Sequence, residues 1–495
     1  MKGVAAHLPV LLVVVPLIAA PLIVLVRRSL FAWVASIAVT LAVLAMAFAL
    51  LAQALATGPI SYAIGSWPPP WGIEYRVDAA NAFVAVLVAL VAAVVIPYCR
   101  VSTAAELGQE RLYLFYALLM LCLSGLLGML VTGDAFNLFV FLEISSLSTY
   151  VLIALGRNRR ALTAALQYLL LGTVGATFYV IGVGMLYVAT GTLNFADLAP
   201  RVAALQDTRP VVAALAFITV GIGLKLALFP LHAWLPNAYT YAPSAVSAFL
   251  AATATKVAIY VLMRLYFGVL GTRLVFGELP VGELLIALSV AALFIASATA
   301  IGQHDLKRLL AYSSVGQIGY ITLGLGLATE AGLTAALAHI FNHGITKGAL
   351  FLLAGALALR LGDTRFPTLD GAGRTMPVAA FAFVLGGLSL IGVPGTAGFA
   401  SKWALLTATL EAGRPALAAA IVLSSLLAVA YVWRFVETAY FRAPPASHPP
   451  PGEAPAALTV PALALTGLVI AAGLYATPVL AVARRGAQAL MGGAA

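Results

Sequence analysis

Four of the six lysines in this chain lie inside apolar stretches that are long enough to cross a membrane. They are Lys225, Lys256, Lys347 and Lys402, whereas the connections between apolar stretches use arginine almost exclusively. A charged lysine at the bilayer centre costs at least about 2.5 to 3.5 kcal/mol on insertion scales. A buried lysine can release its proton, but an arginine stays protonated. This segregation is typical of a path that binds and releases protons.

A second set of titratable residues falls on one helix face. In "HIFNHGITKGALFLLAG", His339, His343 and Lys347 recur every four residues and therefore lie one above another on a helix. Histidine titrates near neutral pH, so this column predicts a proton relay. Glu143 is the matching acidic residue, deep within the apolar stretch "FNLFVFLEISSLSTYVLIALGR".

Each of these residues also has a purely structural interpretation. Glu143, Lys225 and Lys256 can form an ion-pair network that only holds helices together, and buried histidines are often satisfied core residues. His232 lies between two prolines, where it can equally cap freed backbone groups. The HxxxH spacing also occurs in zinc sites, but no glutamate stands between the two histidines and no third ligand is evident. The number of charged residues on different spans favours the functional interpretation.

Two apolar stretches are interrupted by proline and glycine beside one of these lysines. In "GIGLKLALFPLHAWLPNAY", Lys225 precedes Pro230, and in "GGLSLIGVPGTAGFASKWALL", Lys402 follows Pro394. A proline inside a helix frees backbone carbonyls that lipid cannot satisfy, so such breaks must line protein or water. Two broken helices five spans apart, crossing in opposite directions, are typical of an inverted repeat.

The composition indicates a polytopic membrane protein. The 495 residues are 63% hydrophobic and 9% charged, and the mean hydropathy of +1.06 is far above that of a soluble domain. Apolar runs predict an all-α fold of about fourteen transmembrane helices with two inverted five-helix repeats, each containing a broken helix. The predicted spans are 4–26, 30–52, 80–98, 112–132, 135–155, 162–188, 211–239, 240–268, 281–302, 307–327, 332–360, 376–410, 416–440 and 457–479.

These spans divide into four predicted regions. Residues 1–110 hold the first three helices, and residues 111–270 form the first inverted repeat. Residues 281–442 form the second repeat, and residues 443–495 contain a proline-rich loop and the final helix. The segment 442–456 is predicted to be an extended, solvated linker because proline spacing favours such a chain.

Arginine placement orients the chain. Connections after odd-numbered spans carry most of the arginines, and positively charged short loops face the cytoplasm. Both termini are therefore predicted on the outer side of the cell's inner (plasma) membrane. The formal charge of +10 comes from arginines scattered beside apolar spans, so no nucleic-acid surface is predicted.

No cofactor is expected in this chain. Cys99 and Cys122 form no CxxC or Cys/His cluster, so ligands for a metal or an iron–sulfur cluster are not predicted. Redox, nucleotide-binding and nucleophile motifs are not evident either, so energy must come from partner subunits or an ion gradient. Membership of an enzyme complex therefore depends on the partners.

Five segments together resemble the antiporter-like subunits shared by respiratory complex I and multisubunit Na+/H+ antiporters. The resemblance runs from about Leu112 to Leu410 and is greatest to the D-type subunit of the antiporters. It implies a proton-translocating subunit whose partners are the lipid bilayer, other membrane subunits and protons, and it leaves open whether Na+, K+ or only H+ is moved. The segments are "GDAFNLFVFLEISSLSTYVLIALGR", "GIGLKLALFPLHAWLPNAYTYAPSAVSAFLAATATKVAIYVLMR", "KRLLAYSSVGQIGY", "HIFNHGITKGALFLLAG" and "GVPGTAGFASKW".

The same resemblance assigns residues to the translocation path. Lys402 replaces the glutamate that some family members carry at the last position, which argues against those members. The alternatives are a proton-pumping subunit of a complex I-like NADH:quinone oxidoreductase or membrane hydrogenase, and a self-contained solute transporter. The last would require a roomy midplane pocket with specificity groups. The residues assigned to proton translocation are Glu143, Lys225, Lys256, His339, His343, Lys347 and Lys402.

Overall fold

Helices make up nearly all of the structure, a computed structural model that describes residues 3–206, 208–446 and 452–492. In these residues, 12 helices are long and apolar enough to cross a membrane, and a bent pair of helices raises the number to 13. The helices are α1 (Leu8–Val26), α2 (Ser29–Thr57), α3 (Ala79–Leu107), α4 (Leu112–Val131), α5 (Ala135–Ala154), α6 (Arg160–Thr190), α7 (Phe195–Ala204), α8 (Arg209–Leu226), α9 (Leu235–Tyr241), α10 (Ser244–Gly268), α11 (Val281–Ile301), α12 (Leu306–Gly326), α13 (Glu330–Leu361), α14 (Ala372–Thr375), α15 (Pro377–Ile391), α16 (Ala397–Glu411), α17 (Pro415–Val436), α18 (Ala456–Leu474) and α19 (Thr477–Gly492).

The all-α polytopic class predicted from composition is confirmed. The number of spans is close to the predicted fourteen without matching it, and the inverted repeats stay a prediction. The difference lies in α12 and in the pair α15 and α16. The latter two have 15 residues each, which is shorter than the roughly 20 residues that a span needs.

Both broken helices lie where proline and glycine predicted them. Helix α8 ends at Leu226, residues 227–234 are not helical, and α9 resumes at Leu235. Helix α15 ends at Ile391, and α16 begins after a turn in which Gly392 and Gly395 have φ of 91° and 86°. Glycine adopts this left-handed region without steric cost, so it permits the second break.

Helices α10 and α13 form the buried centre of the molecule. Gly355 of α13 lies beside Ser244, where an added Cβ would meet Ser244 Cβ at 2.6 Å, and Gly344 lies beside Ala252, where it would meet Ala252 O at 3.0 Å. The later residue of α13 thus faces the earlier residue of α10, so the two helices run antiparallel. Glycine at the crossing allows this close approach of the two backbones. Lys256 lies one turn beyond Ala252 and therefore close to the level of the histidines on α13.

A short β-hairpin precedes α3 and is not predicted by the sequence pattern. Strands β1 (Ile60–Ala63) and β2 (Glu74–Val77) pair antiparallel. Trp67 and Trp71 at its tip are 69% and 90% exposed. Exposed tryptophans are typical of a membrane–water interface.

The proline-rich linker is anchored at its C-terminal end, so the prediction of a fully solvated chain is wrong there. Gly452 N–H donates to Thr375 O at 2.9 Å. The Glu453 carboxylate accepts from Val378 N–H at 2.7 Å and from Ala379 N–H at 3.3 Å. Helix α15 begins without a capping side chain of its own, so Glu453 satisfies two of its free N–H groups. Residues 447–451 of the predicted linker lie outside the described residues.

Candidate proton-translocation site

Lys225 lies in the last turn of α8 and points toward α5. Its Nζ donates to Ser146 Oγ at 2.5 Å and to Tyr150 OH at 3.2 Å. The ammonium also lies over the rings of Tyr150 and Tyr168, 5.6 and 5.7 Å from their centroids. Lys225 is only 6% exposed, so neutral oxygens and aromatic faces replace its hydration.

Glu143 lies on the same face of α5 as the two groups that hold Lys225. Ser146 follows it by three residues and Tyr150 by seven, which are same-face spacings on a helix. Glu143 Oε1 is buried without a hydrogen-bond partner among the described residues. Among the ion pairs of those residues, none joins Glu143 to Lys225. Glu143 and Lys225 therefore form no ion pair, and Lys225 is bound by Ser146 and Tyr150 instead.

Lys256 is completely buried in the middle of α10. Its Nζ donates to the Ala251 carbonyl oxygen at 2.5 Å and to Thr255 Oγ1 at 3.3 Å, both on its own helix. Its relative exposure is 0%. A cation held only by neutral oxygens in such a site is costly unless it can lose its proton.

The predicted histidine and lysine column exists on α13. The rings of His339 and His343 are stacked, with centroids 5.8 Å apart and planes 14° apart. Both ring nitrogens of His343 lack a hydrogen-bond partner among the described residues. Lys347 Nζ donates to Leu310 O at 2.8 Å and to Ser313 Oγ at 2.5 Å. The three side chains therefore form a continuous titratable column in the core.

His339 connects this column to the second broken helix. One of its ring nitrogens, Nδ1, shares a hydrogen bond of 2.8 Å with Ser401 Oγ, on the residue before Lys402. The other, Nε2, shares one of 2.9 Å with Gln317 Oε1. The ring also packs against Tyr320, with centroids 5.6 Å apart.

Lys402 binds backbone carbonyls at the C-terminal end of α15, where the helix is broken. Its Nζ donates to Leu390 O at 2.8 Å and to Ile391 O at 3.1 Å, the last carbonyls of α15. It also lies 4.4 Å from the Tyr320 ring centroid. Helix C-termini carry partial negative charge and favour a cation. The break therefore supplies the binding site for the lysine, as its proline and glycine predicted.

His232 stands apart from this chain of residues. Its ring stacks on Phe229 at 5.2 Å, and Nδ1 is buried without a partner among the described residues. The freed carbonyl of Leu224 is satisfied by Trp234 Nε1 at 2.8 Å instead. Trp234 therefore caps one of the carbonyls that the helix break frees.

Two clefts lie at opposite ends of α10. The first, here called the basic cleft, has a volume of about 1040 Å³. Its lining includes Ser244, Lys307, Arg157, Arg160 and Arg308. The second, here called the Asp78 cleft, has a volume of about 320 Å³ and is lined by Asp78, Tyr260 and Arg264 among others.

The hydroxyl and amide partners of the cations were missed in the sequence. Ser146, Ser313 and Gln317 occur in apolar spans, where polar side chains usually satisfy a specific partner. Their polarity was the available signal, but only the fold shows which titratable side chain each one contacts. Among the described residues, no group of three or more His, Cys, Asp or Glu side chains is placed to hold a metal ion.

Comparison with known families decides where this arrangement belongs. Residues 132–428 match the model described as NADH:quinone oxidoreductase/Mrp antiporter, TM. The chain belongs to this family. The match spans both broken helices and every predicted site residue from Glu143 to Lys402.

The chain is similar to a subunit of an NADH-quinone oxidoreductase and to a subunit of a Na(+)/H(+) antiporter. The N-type subunit of NADH-quinone oxidoreductase from Desulforudis audaxviator is 45% identical over 489 residues, which cover 95% of this chain and 96% of the relative. The D-type subunit of the Na(+)/H(+) antiporter from Alkalihalophilus pseudofirmus is 35% identical over 348 residues, covering 70% and 69%.

A solved membrane complex contains a chain of the same architecture. A chain of the Mrp complex from a Dietzia species has a TM-score of 0.91 and is 28% identical, covering 99% of this chain and 98% of its own. The fold extends over the whole length of both chains.

Proposed function

We propose that this chain is a proton-translocating subunit of a multisubunit membrane complex. The path runs from Glu143 and Lys225, through Lys256, to the α13 column and Lys402. One observation supports this proposal most. The four lysines within the membrane spans are buried and bound by neutral oxygen atoms of the described residues, and they are Lys225, Lys256, Lys347 and Lys402. Such a lysine can release its proton without breaking an ion pair, as a translocation path requires.

The path also has a physical means of passing a proton between its members. His339 links the column to Ser401, which neighbours Lys402, and His339 stacks on His343. A neutral imidazole can accept a proton at one nitrogen while it releases one from the other. His339 Nδ1 therefore joins the column to the second broken helix through Ser401, while Nε2 is held by Gln317 Oε1.

Two assemblies remain candidates, each favoured by one observation. The 45% identical relative from the NADH-quinone oxidoreductase favours a quinone oxidoreductase-type complex. The relative from the Na(+)/H(+) antiporter, together with the Mrp chain of TM-score 0.91, favours cation/proton antiport with Na+ or K+. Mass spectrometry of the complex purified through this chain distinguishes them. Redox subunits would identify the first, and membrane subunits without redox subunits the second.

The translocation proposal is tested by Lys225→Ala in the assembled complex. Removing the ammonium should abolish ion-coupled transport in vesicles, because the proton then has no carrier between α5 and α10. The matched control is Val220→Ala on the same helix, which is 37% exposed and lies about 140° around the helix axis from Lys225. Transport is scaled to the amount of assembled complex. Normal transport in Lys225→Ala would return the lysine to a structural role.

We further propose that the chain resides in the plasma membrane, with both termini on the outer side. The arginine-rich connections support this orientation, because the basic cleft gathers Arg157, Arg160, Arg308 and Arg365 at one end of the helices. The four predicted regions, with repeats at 111–270 and 281–442, belong to the same proposal and are supported by the two broken helices.

A further inference from the structure

Helix α10 borders a cleft at each end and carries a buried lysine between the two. Ser244 lines the basic cleft, whereas Tyr260 and Arg264 line the Asp78 cleft. About 30 Å of helix rise separates Ser244 from Arg264, which is close to the hydrocarbon thickness of a bilayer. Lys256 lies only about 12 Å along the helix from Arg264. The Asp78 cleft is therefore the nearer opening for this lysine.

A polar column on α10 leads from Lys256 to that cleft. Lys256, Tyr260 and Arg264 recur every four residues, so they lie on one helix face. Tyr260 is 1% exposed, and its hydroxyl oxygen accepts a hydrogen bond of 2.9 Å from Arg264 Nε. Because the oxygen is the acceptor in this bond, the hydroxyl hydrogen is left to make a second one.

Asp78 holds the arginine that orients the tyrosine. Its Oδ2 accepts from the guanidinium of Arg264. Its Oδ1 caps α3 by accepting from Ala80 N–H at 2.9 Å and Asn81 N–H at 3.2 Å. Both carboxylate oxygens are therefore engaged, which leaves Tyr260 as the group of this cluster that can exchange a proton.

We propose that Tyr260 carries protons between Lys256 and the Asp78 cleft. This inference rests on the proposed function, because it takes Lys256 as a proton carrier. In the structure the Lys256 ammonium is bound to Ala251 O, away from Tyr260. In the outward step the side chain turns toward Tyr260, whose base lies about 6 Å from that of Lys256, and the ammonium releases a proton through one water molecule to the Tyr260 oxygen. The Tyr260 O–H bond releases its own proton to water in the cleft at the same time. Lys256 becomes neutral, the phenol is regenerated, and one proton reaches the cleft.

Arg264 and Asp78 are positioning residues in this route, because they act through Tyr260. The competing explanation is that the whole cluster only fixes α3 against α10. The variant Tyr260→Phe separates the two, because it keeps the ring and its packing and removes only the oxygen. Tyr266→Phe is the matched control. Tyr266 lies on the same helix, is 0% exposed, and shares a hydrogen bond of 2.7 Å with Thr219 Oγ1.

Gradient-driven proton transport by the complete complex in vesicles is the measurement, scaled to assembled complex. Tyr260→Phe should slow transport by about tenfold or more, since a positioned proton-transfer group contributes at least that much to a rate. Tyr266→Phe should transport at the unsubstituted rate. Tyr260→His, which restores a group able to exchange protons, should regain part of the lost rate.

The outcomes distinguish this route from the proposed function. If Lys225→Ala abolishes transport while Tyr260→Phe transports at the full rate, the route is overturned and the proposed function stands. If neither variant affects transport, the proposed function fails as well. If Tyr260→Phe and Tyr260→His both lower the amount of assembled complex but leave transport per complex unchanged, the tyrosine has only a packing role and the route is overturned.

Discussion

The buried lysines are bound by hydroxyl and carbonyl oxygens instead of carboxylates. Lys225 uses Ser146 and Tyr150, and Lys402 uses two carbonyls of α15. A neutral hydrogen-bond acceptor stabilises an ammonium group less than a carboxylate does. Loss of the proton therefore costs a hydrogen bond rather than a buried ion pair, which keeps both charge states within reach.

Arginine substitutions separate a proton carrier from a fixed charge. Arginine keeps the positive charge but does not deprotonate, so Lys225→Arg and Lys402→Arg should impair coupled transport by about tenfold or more. Lys256→Arg should impair it as well, because the proposed path requires Lys256 to release its proton. The measurement is transport driven by a pH or cation gradient. Full activity in both break-site variants would exclude obligatory deprotonation there.

The sequence identifies the titratable residues of the membrane spans but not their hydrogen-bond partners. A lysine in an apolar span is conspicuous whatever it contacts, so Lys225 and Lys402 are found from composition alone. Ser146 and Ser401 resemble many other small polar residues in membrane helices, and their roles depend on how α5 and α16 are rotated. That rotation is decided by packing against other helices, which no local pattern encodes.

Small residues let helix α6 approach the Lys225 site. A Cβ on Gly172 would overlap the Tyr150 hydroxyl and would meet Lys225 Nζ at 3.2 Å. The variant Gly172→Ala should displace the Tyr150 hydroxyl and lower transport about tenfold or more. The matched control is Gly184→Ala on the same helix, where a Cβ would meet nothing within 4 Å. Equal transport in both variants would show that Lys225 tolerates the loss of this partner.

The linker between α17 and α18 contains a helix cap. Glu453→Ala should destabilise the start of α15 by about 1 kcal/mol, as loss of a capping side chain typically does. The expected result is a lower unfolding temperature of the purified complex. Glu411→Ala is the control, since Glu411 is exposed at the end of α16. An unchanged unfolding temperature in Glu453→Ala would show that water replaces the carboxylate without loss.

Prolines and glycines in the sequence predicted both helix breaks, but the β-hairpin and the Glu453 cap were not predicted. Pro230 and Pro394 mark non-helical segments because proline cannot continue the backbone hydrogen-bond pattern. The β-hairpin was missed because its strands have only four residues each. The cap at Glu453 was missed because it joins residues about 75 positions apart in the chain.

Both ends of the described chain lie on the face that carries the hairpin. His7 Nδ1 shares a hydrogen bond of 3.0 Å with Tyr62 OH of β1. Gln488 of α19 lines the Asp78 cleft beside Glu74 of β2. The basic cleft lies at the other end of α10. Both described ends therefore lie on one face of the helices, and the side of the membrane that this face occupies stays a prediction.

Labelling of single cysteines decides which side that is. Cys99 and Cys122 are both 0% exposed, so the unsubstituted chain should not react with a membrane-impermeant maleimide. Ser66→Cys at the exposed hairpin tip should react in intact cells, because that face is predicted to be the outer one. Asn158→Cys, beside three arginines in an exposed connection, should react only after the membrane is permeabilised. The opposite pattern would invert the orientation, and the Asp78 cleft would then open to the cytoplasm.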